Sequence, residues 1–229
     1  MTLVIPTVDL RGQFAPIRDQ GSRPTCLAFA ASDAHGALLD PDTELSCEFL
    51  YYHAQKIGGR DATSGATVPD VLAALKSEGQ PIEADWPYIQ KKPDQVMKSW
   101  TPPTDFGDIY KRNGDRCGQL ANDVVQYLNA GLPVISLIFL CDSFFAAQRG
   151  RIIETSPAST PNINMRHAVV AVGYGTASSG RCFLIRNSWG NGWGDDGYAW
   201  IAEDLFDASL YDIAVLKEGS HVSGNKAAA

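Results

Sequence analysis

The feature that most constrains this chain is a change of hydrophobic period near its middle. After the turn signal Asp19-Gln20-Gly21-Ser22-Arg23-Pro24-Thr25, residues Cys26 to Leu39 are Ala-rich and apolar on most sides, which predicts a buried helix ending before Asp40-Pro41. Leu45 to Tyr52 predicts a second helix with Ser46 as its N-cap. Pro69 to Lys76 predicts a third, with proline in the first turn and Gly79 stopping it. Ile89 to Gly118 holds several prolines and many polar residues and reads as connecting loop, and Gln119 to Leu128 reads as another helix. From Pro133 onward the runs are strand-like: Val134 to Leu140, Ala168 to Val172, Phe183 to Arg186, Tyr198 to Ile201 and Ile213 to Leu216. Helices first and strands second predict an α+β protein of two segregated lobes, with a site in the cleft between them.

Composition narrows the function classes. At 229 residues the chain can build one large domain or two lobes sharing a core. A net charge of -7 argues against a nucleic-acid binder, which presents a basic face. No stretch reaches the roughly 18–20 apolar residues of a membrane span. The N-terminus shows no basic segment followed by a long apolar run, so no secretory signal is read there. The five cysteines are odd in number and none stands as C-x-x-C, which reads as free thiols in a reducing compartment, with no metal site.

Three segments carry residue types that packing explains poorly. In Gln20 to Ala30, a cysteine sits at a loop-to-helix junction, where first-turn amides and the helix dipole favour thiolate over thiol. In Met165 to Gly175, His167 opens a near-continuous apolar strand that ends in a Gly-Tyr-Gly turn. In Ile185 to Tyr198, two tryptophans and several glycines crowd one loop behind Asn187, whose side-chain oxygen could accept a ring N–H from a histidine. Each has a plainer reading alone: a buried thiol, a satisfied histidine, a glycine-rich strand connection.

Together, Gln20-Gly21 through Cys26, His167-Ala168-Val169, Asn187-Ser188-Trp189-Gly190 and Trp193-Gly194 through Gly197-Tyr198 resemble the papain family of cysteine peptidases, in the family's order. The resemblance covers about Ile5 to Leu216. His167 falls within the roughly 130–150 residues after the cysteine that the signature calls for, and Asn187 somewhat beyond, as a longer loop before Arg186 would give.

The resemblance implies a helical lobe of about residues 12–108 and a β-rich lobe of about 109–217 joined by the N-terminal strand. Residues 218–229 are set aside as a tail, partly of cloning origin. It implies Cys26 as nucleophile, His167 as its base, Asn187 orienting that base, Trp189 shielding their bond, and Gln20 with the Cys26 amide as oxyanion donors. Gly65 and Ala66 would run beside the substrate backbone. Thr67, Val68, Met165 and Ala168 would line a mostly apolar specificity pocket, with Arg166 disfavouring imidazolium and attracting a polar or acidic substrate group. No cofactor is implied. The expected partner is a polypeptide substrate.

Departures from the family pattern matter too. Arg23-Pro24-Thr25-Cys26-Leu27 replaces Cys-Gly-Ser-Cys-Trp, and Thr63 stands where that first cysteine's disulfide partner would be. The chain starts almost at the mature-like domain, without the family's prosegment. That start motivates an expectation of a bacterial endopeptidase held in the cytoplasm or exported without a classical signal. Its role would be that of an effector or toxin restrained by an inhibitor or immunity protein in the cleft. Two alternatives stay open: a Cys-His-Asn deamidase or transglutaminase-like effector, and a non-catalytic homologue.

Overall fold

The computed structural model describes residues 3–90 and 100–223. Six α-helices lie among them: α1 Cys26–Ala37, α2 Cys47–Ile57, α3 Val68–Ser77, α4 Ala121–Asn129, α5 Asp142–Phe145 and α6 Glu203–Ser209. Eight strands accompany them: β1 Ile5–Asp9, β2 Ile109–Arg116, β3 Val134–Leu140, β4 Ile152–Ile153, β5 Asn162–Ala177, β6 Gly180–Arg186, β7 Tyr198–Ala202 and β8 Leu210–Val222. The strands form one sheet in the order β2-β8-β3-β5-β6-β7-β4, with β1 paired to β5 off that path. The fold is α+β. Helices α1 to α3 gather on one side and the sheet on the other.

Local chemistry explains most element boundaries. Ser46 caps α2 by accepting the Phe49 amide at 3.1 Å. Pro69 sits in the first turn of α3, and Gly79, with φ +79°, takes the left-handed conformation beyond its end. Helix α1 is apolar nearly all round because it is buried nearly all round, with Ala28, Ala31 and Ala34 fully covered. Small side chains there let α1 pack against α2, α3 and the sheet at once.

The sheet differs from expectation in three places. Residues Ile109–Arg116, read as loop, form edge strand β2, paired antiparallel to β8. The segment is too polar for periodicity to mark it: it lies at the sheet edge, and its first half pairs with the exposed end of β8. Strand β8 continues to Val222, into the residues set aside as tail. The Gly-Tyr-Gly of residues 173–175 is not a turn: β5 runs straight through it to Ala177. Those glycines are needed because β1 crosses there, where a Cβ on Gly173 or Gly175 would strike the Val8 or Ile5 carbonyl. Residues 91–99 of the expected connecting loop, and 224–229 of the tail, lie outside the described residues.

A buried ionic cluster ties the two sides together. Asp33, on α1, accepts Arg18 at 2.5 Å on one oxygen and Arg186, from the end of β6, at 2.7 Å on the other. Arg186 also donates to the Tyr198 hydroxyl at 2.7 Å and the Pro16 carbonyl at 2.8 Å. Burial pushes the Asp33 carboxyl up, but the two guanidiniums outweigh it and hold the group below its ordinary range. Arg186 immediately precedes Asn187, so this cluster sets where the Asn187 loop meets α1.

Candidate active site

A cavity of about 670 Å³ opens between the helical side and the sheet. Gln20, Cys26, His167 and Trp189 line it together, with Gly65, Ala66, Thr67 and Val68 on one wall and Arg166 and Ala168 on the other. Met165 is absent from the lining; it packs against the hydrophobic core. Leu137, Leu140, Tyr211, Asp212 and Arg116 also line it. Those five were not singled out in the sequence, because they sit on β3, β8 and β2, far along the chain from any motif. Pairing of β3 with both β5 and β8 brings them in.

Cys26 is the first residue of α1. Thr25, at the N-cap, makes no side-chain cap, because its hydroxyl is paired with the Tyr88 hydroxyl at 2.8 Å. The helix mouth is left open towards the sulfur. The amides of Cys26, Leu27 and Ala168 act on that sulfur and favour its charged form. Ala168 directly follows His167 on β5, so an amide of the sheet reaches Cys26 beside the histidine. Burial works the other way and pushes the Cys26 thiol up overall.

His167 is 5% exposed. Its Nε2 bonds Asn187 Oδ1 at 2.8 Å, leaving Nδ1 for the cleft. Burial lowers its pKa to about 4, and the Asn187 bond opposes that shift. Desolvation is the cause, not the charge of Arg166 expected from the sequence; that guanidinium lies over the Tyr211 ring. The Asn187 oxygen also accepts the Ser188 amide at 2.8 Å, which fixes the carboxamide against rotation. The Trp189 ring lies 4.7 Å from the imidazole, stacked on Phe145 and edge-on to Phe144. Short helix α5, unread in the sequence, supplies both phenylalanines and accepts the Trp193 indole N–H at 2.9 Å on the Phe144 carbonyl. The glycines of this loop have a local reason: Gly190, Gly194 and Gly197 have positive φ, and a Cβ on Gly194 would collide with the Tyr198 carbonyl.

Gln20 is held at both ends of its carboxamide. Its oxygen accepts the Ser188 hydroxyl at 2.7 Å, and its nitrogen donates to the Arg23 carbonyl at 2.9 Å. One N–H of that nitrogen remains for a ligand. On the opposite wall, a Cβ on Gly65 would meet nothing within 4 Å, so this glycine keeps the cleft open and is not demanded by packing. Two of the lining residues pair with each other, Arg116 donating to Asp212 at 2.9 Å. All five cysteines are free: Cys47, Cys141 and Cys182 buried, Cys26 and Cys117 partly exposed. Among the described residues no cluster of three or more His, Cys, Asp or Glu could hold a metal, and no helix is long and apolar enough to cross a membrane.

Comparison with known proteins gives concordant matches. The family model described as papain family cysteine protease matches residues 5–213. Cysteine proteinase 2 of Entamoeba histolytica is 29% identical over 84% of this chain and 62% of its own length. Cathepsin J of Mus musculus is 29% identical over 84% of this chain and 58% of its own. The chain thus spans about three fifths of the curated relatives it matches. Among solved structures, xylellain, a cysteine protease from Xylella fastidiosa, superposes with a TM-score of 0.74 at 26% identity, covering 94% of this chain and 87% of that one.

Proposed function

The chain belongs to the papain family of cysteine proteases, and from that premise we propose that it hydrolyses peptide bonds, as an endopeptidase, through Cys26 and His167. The observation that carries the proposal is the fixed imidazole: a buried His167 tied by Nε2 to Asn187 presents its other nitrogen to the cavity that holds Cys26.

Taken singly, both groups favour their neutral forms, because burial penalises either charge. Moving the thiol proton to Nδ1 makes two charges that support each other. The first-turn amides of Cys26 and Leu27 at the α1 mouth and the Ala168 amide hold the thiolate, while Asn187 holds the imidazolium. The sulfur attacks the peptide carbonyl carbon. The Cys26 amide and the free Gln20 N–H receive the oxyanion. His167 returns its proton to the leaving amine, and water then releases the acyl group with His167 as base.

The lining fits an extended polypeptide beside Gly65-Ala66. Its side chain would enter a pocket walled by Val68, Leu137 and Ala168 and closed by Tyr211 and the paired Asp212. An apolar or medium-sized side chain suits that pocket. A protein inhibitor would occupy the same cleft. For the effector reading, cytosolic expression of the intact chain without a partner should be toxic when Cys26→Ser is not; harmlessness of both would count against it.

Mass spectrometry of treated polypeptides tests the reaction class. New termini, absent with Cys26→Ser, are expected. A one-dalton gain without chain cleavage would replace this reading by side-chain deamidation.

A further inference from the structure

Arg23 stands three residues before Cys26, where the family motif has its first cysteine. No sulfur bridge is made there, since Thr63 takes the partner position and all cysteines are free. An ion pair closed off from water occupies the place. The Arg23 and Glu48 side chains are both 0% exposed. Arg23 donates from Nη1 to Glu48 Oε2 at 2.6 Å and from Nη2 to Oε1 at 2.9 Å, a bidentate fork. Nη1 also reaches the Ile89 carbonyl at 2.6 Å, while the Ile89 amide and the Trp100 indole donate to Glu48 at 3.0 and 2.6 Å.

This pair is joined to the site by two routes. The Arg23 carbonyl accepts the Gln20 side-chain amide at 2.9 Å. The Tyr88 ring, 5.0 Å from the Arg23 guanidinium, directs its hydroxyl to the Gln20 carbonyl at 2.8 Å and accepts from Thr25. A buried ion pair is a poor source of stability, because desolvation offsets most of the attraction. Arg23 Nε is even left without a partner. What the fork does provide is direction: two parallel hydrogen bonds fix the guanidinium plane, and with it the backbone it hangs from.

We propose that Arg23 and Glu48 are positioning residues, a non-covalent clamp standing where relatives of the motif have a disulfide, and that they act through Gln20 on the oxyanion. The inference rests on Gln20 being an oxyanion donor. The clamp fixes the Arg23 carbonyl, the carbonyl fixes the Gln20 amide, and the free N–H of that amide is thereby aimed into the cleft.

A double-mutant cycle tests it on the full chain, with kcat and KM for a fluorogenic peptide amide and the alkylation rate of Cys26 by iodoacetamide, a reaction that forms no oxyanion. Glu48→Gln is expected to lower kcat by about ten- to a hundredfold, as a small misplacement of a catalytic group does, with KM and alkylation changed less than about threefold. Made on top of Gln20→Ala, the same substitution should cost less than about threefold, since coupled residues are not additive. Should Glu48→Gln not fold, Arg23→Met with Glu48→Met removes both charges at once, and the same pattern is expected. Equal losses of kcat in both Gln20 backgrounds, a parallel loss of alkylation, or full activity of the double methionine variant would each overturn the clamp. A harmless Gln20→Ala would overturn the oxyanion reading and the clamp with it, while Cys26 labelling would still report on the nucleophile separately.

Discussion

At the scale of single residues, two substitutions carry sharp expectations. On the proposed mechanism Gln20 is one of two oxyanion donors, so Gln20→Ala should reduce kcat by about 10²–10³ with little change in KM; an equal rise in KM at constant kcat would mean that Gln20 binds substrate instead. Arg116 pairs with Asp212 in the lining of the cavity proposed to take the substrate side chain. In Arg116→Ala that carboxylate is left without its partner, and the ratio of kcat/KM for lysine over leucine at the pocket position should rise by about tenfold, the scale of one charge pair in a partly screened site. An unchanged ratio across a peptide library would remove Asp212 from the pocket. Residues of the first kind were legible in the sequence because motif spacing announces them. Arg116, Tyr211 and Asp212 were not, because no local pattern says which strand ends meet across a sheet. Met165, two residues before His167, packs on the core instead of lining the cavity, beside a shift in the β3–β5 register that strand alternation alone does not reveal.

At the scale of elements, the helices were legible where chemistry marks their ends. Ser46 before α2, Pro69 in α3 and Gly79 after it all act as the residue types imply. The sheet was harder. Its long strands were seen only at their buried centres, since the exposed ends of β5 and β8 and the polar edge strand β2 have no apolar alternation to read. The Arg18–Asp33–Arg186 cluster joins elements more than a hundred residues apart and has no sequence signature. Its energetics are testable. Asp33→Ala leaves two buried guanidiniums facing each other, and should destabilise the fold by about 3–5 kcal/mol in denaturant titration. A loss below about 1 kcal/mol would mean that water enters the cluster freely.

At the scale of the whole molecule, two buried histidines set the acid limb of stability. His35 and His167 each have a pKa lowered by burial from the ordinary 6.5 to about 4. Above 6.5 the folded and unfolded chains bind the same protons at these sites. As the pH falls below that value the unfolded chain takes up protons that the folded chain refuses, so stability declines between about 6.5 and 4. Each histidine accounts for about 2–3 kcal/mol over that window. Denaturant midpoints measured across it should flatten in His35→Gln, which keeps a partner for Gln80; an unaltered slope would contradict the neutral burial of His35. Helix mouth and imidazole together activate one thiol of five against the cost of burial, and thiol alkylation with peptide mapping across pH tests this most directly. Cys26 should be modified selectively, at a rate steady through the neutral range and falling as the pH drops through about 4, with partly exposed Cys117 as the slow internal control. In His167→Ala the Cys26 rate should collapse at neutral pH and recover only under alkali. Equal labelling of Cys26 and Cys117, or a Cys26 rate indifferent to the loss of His167, would contradict it.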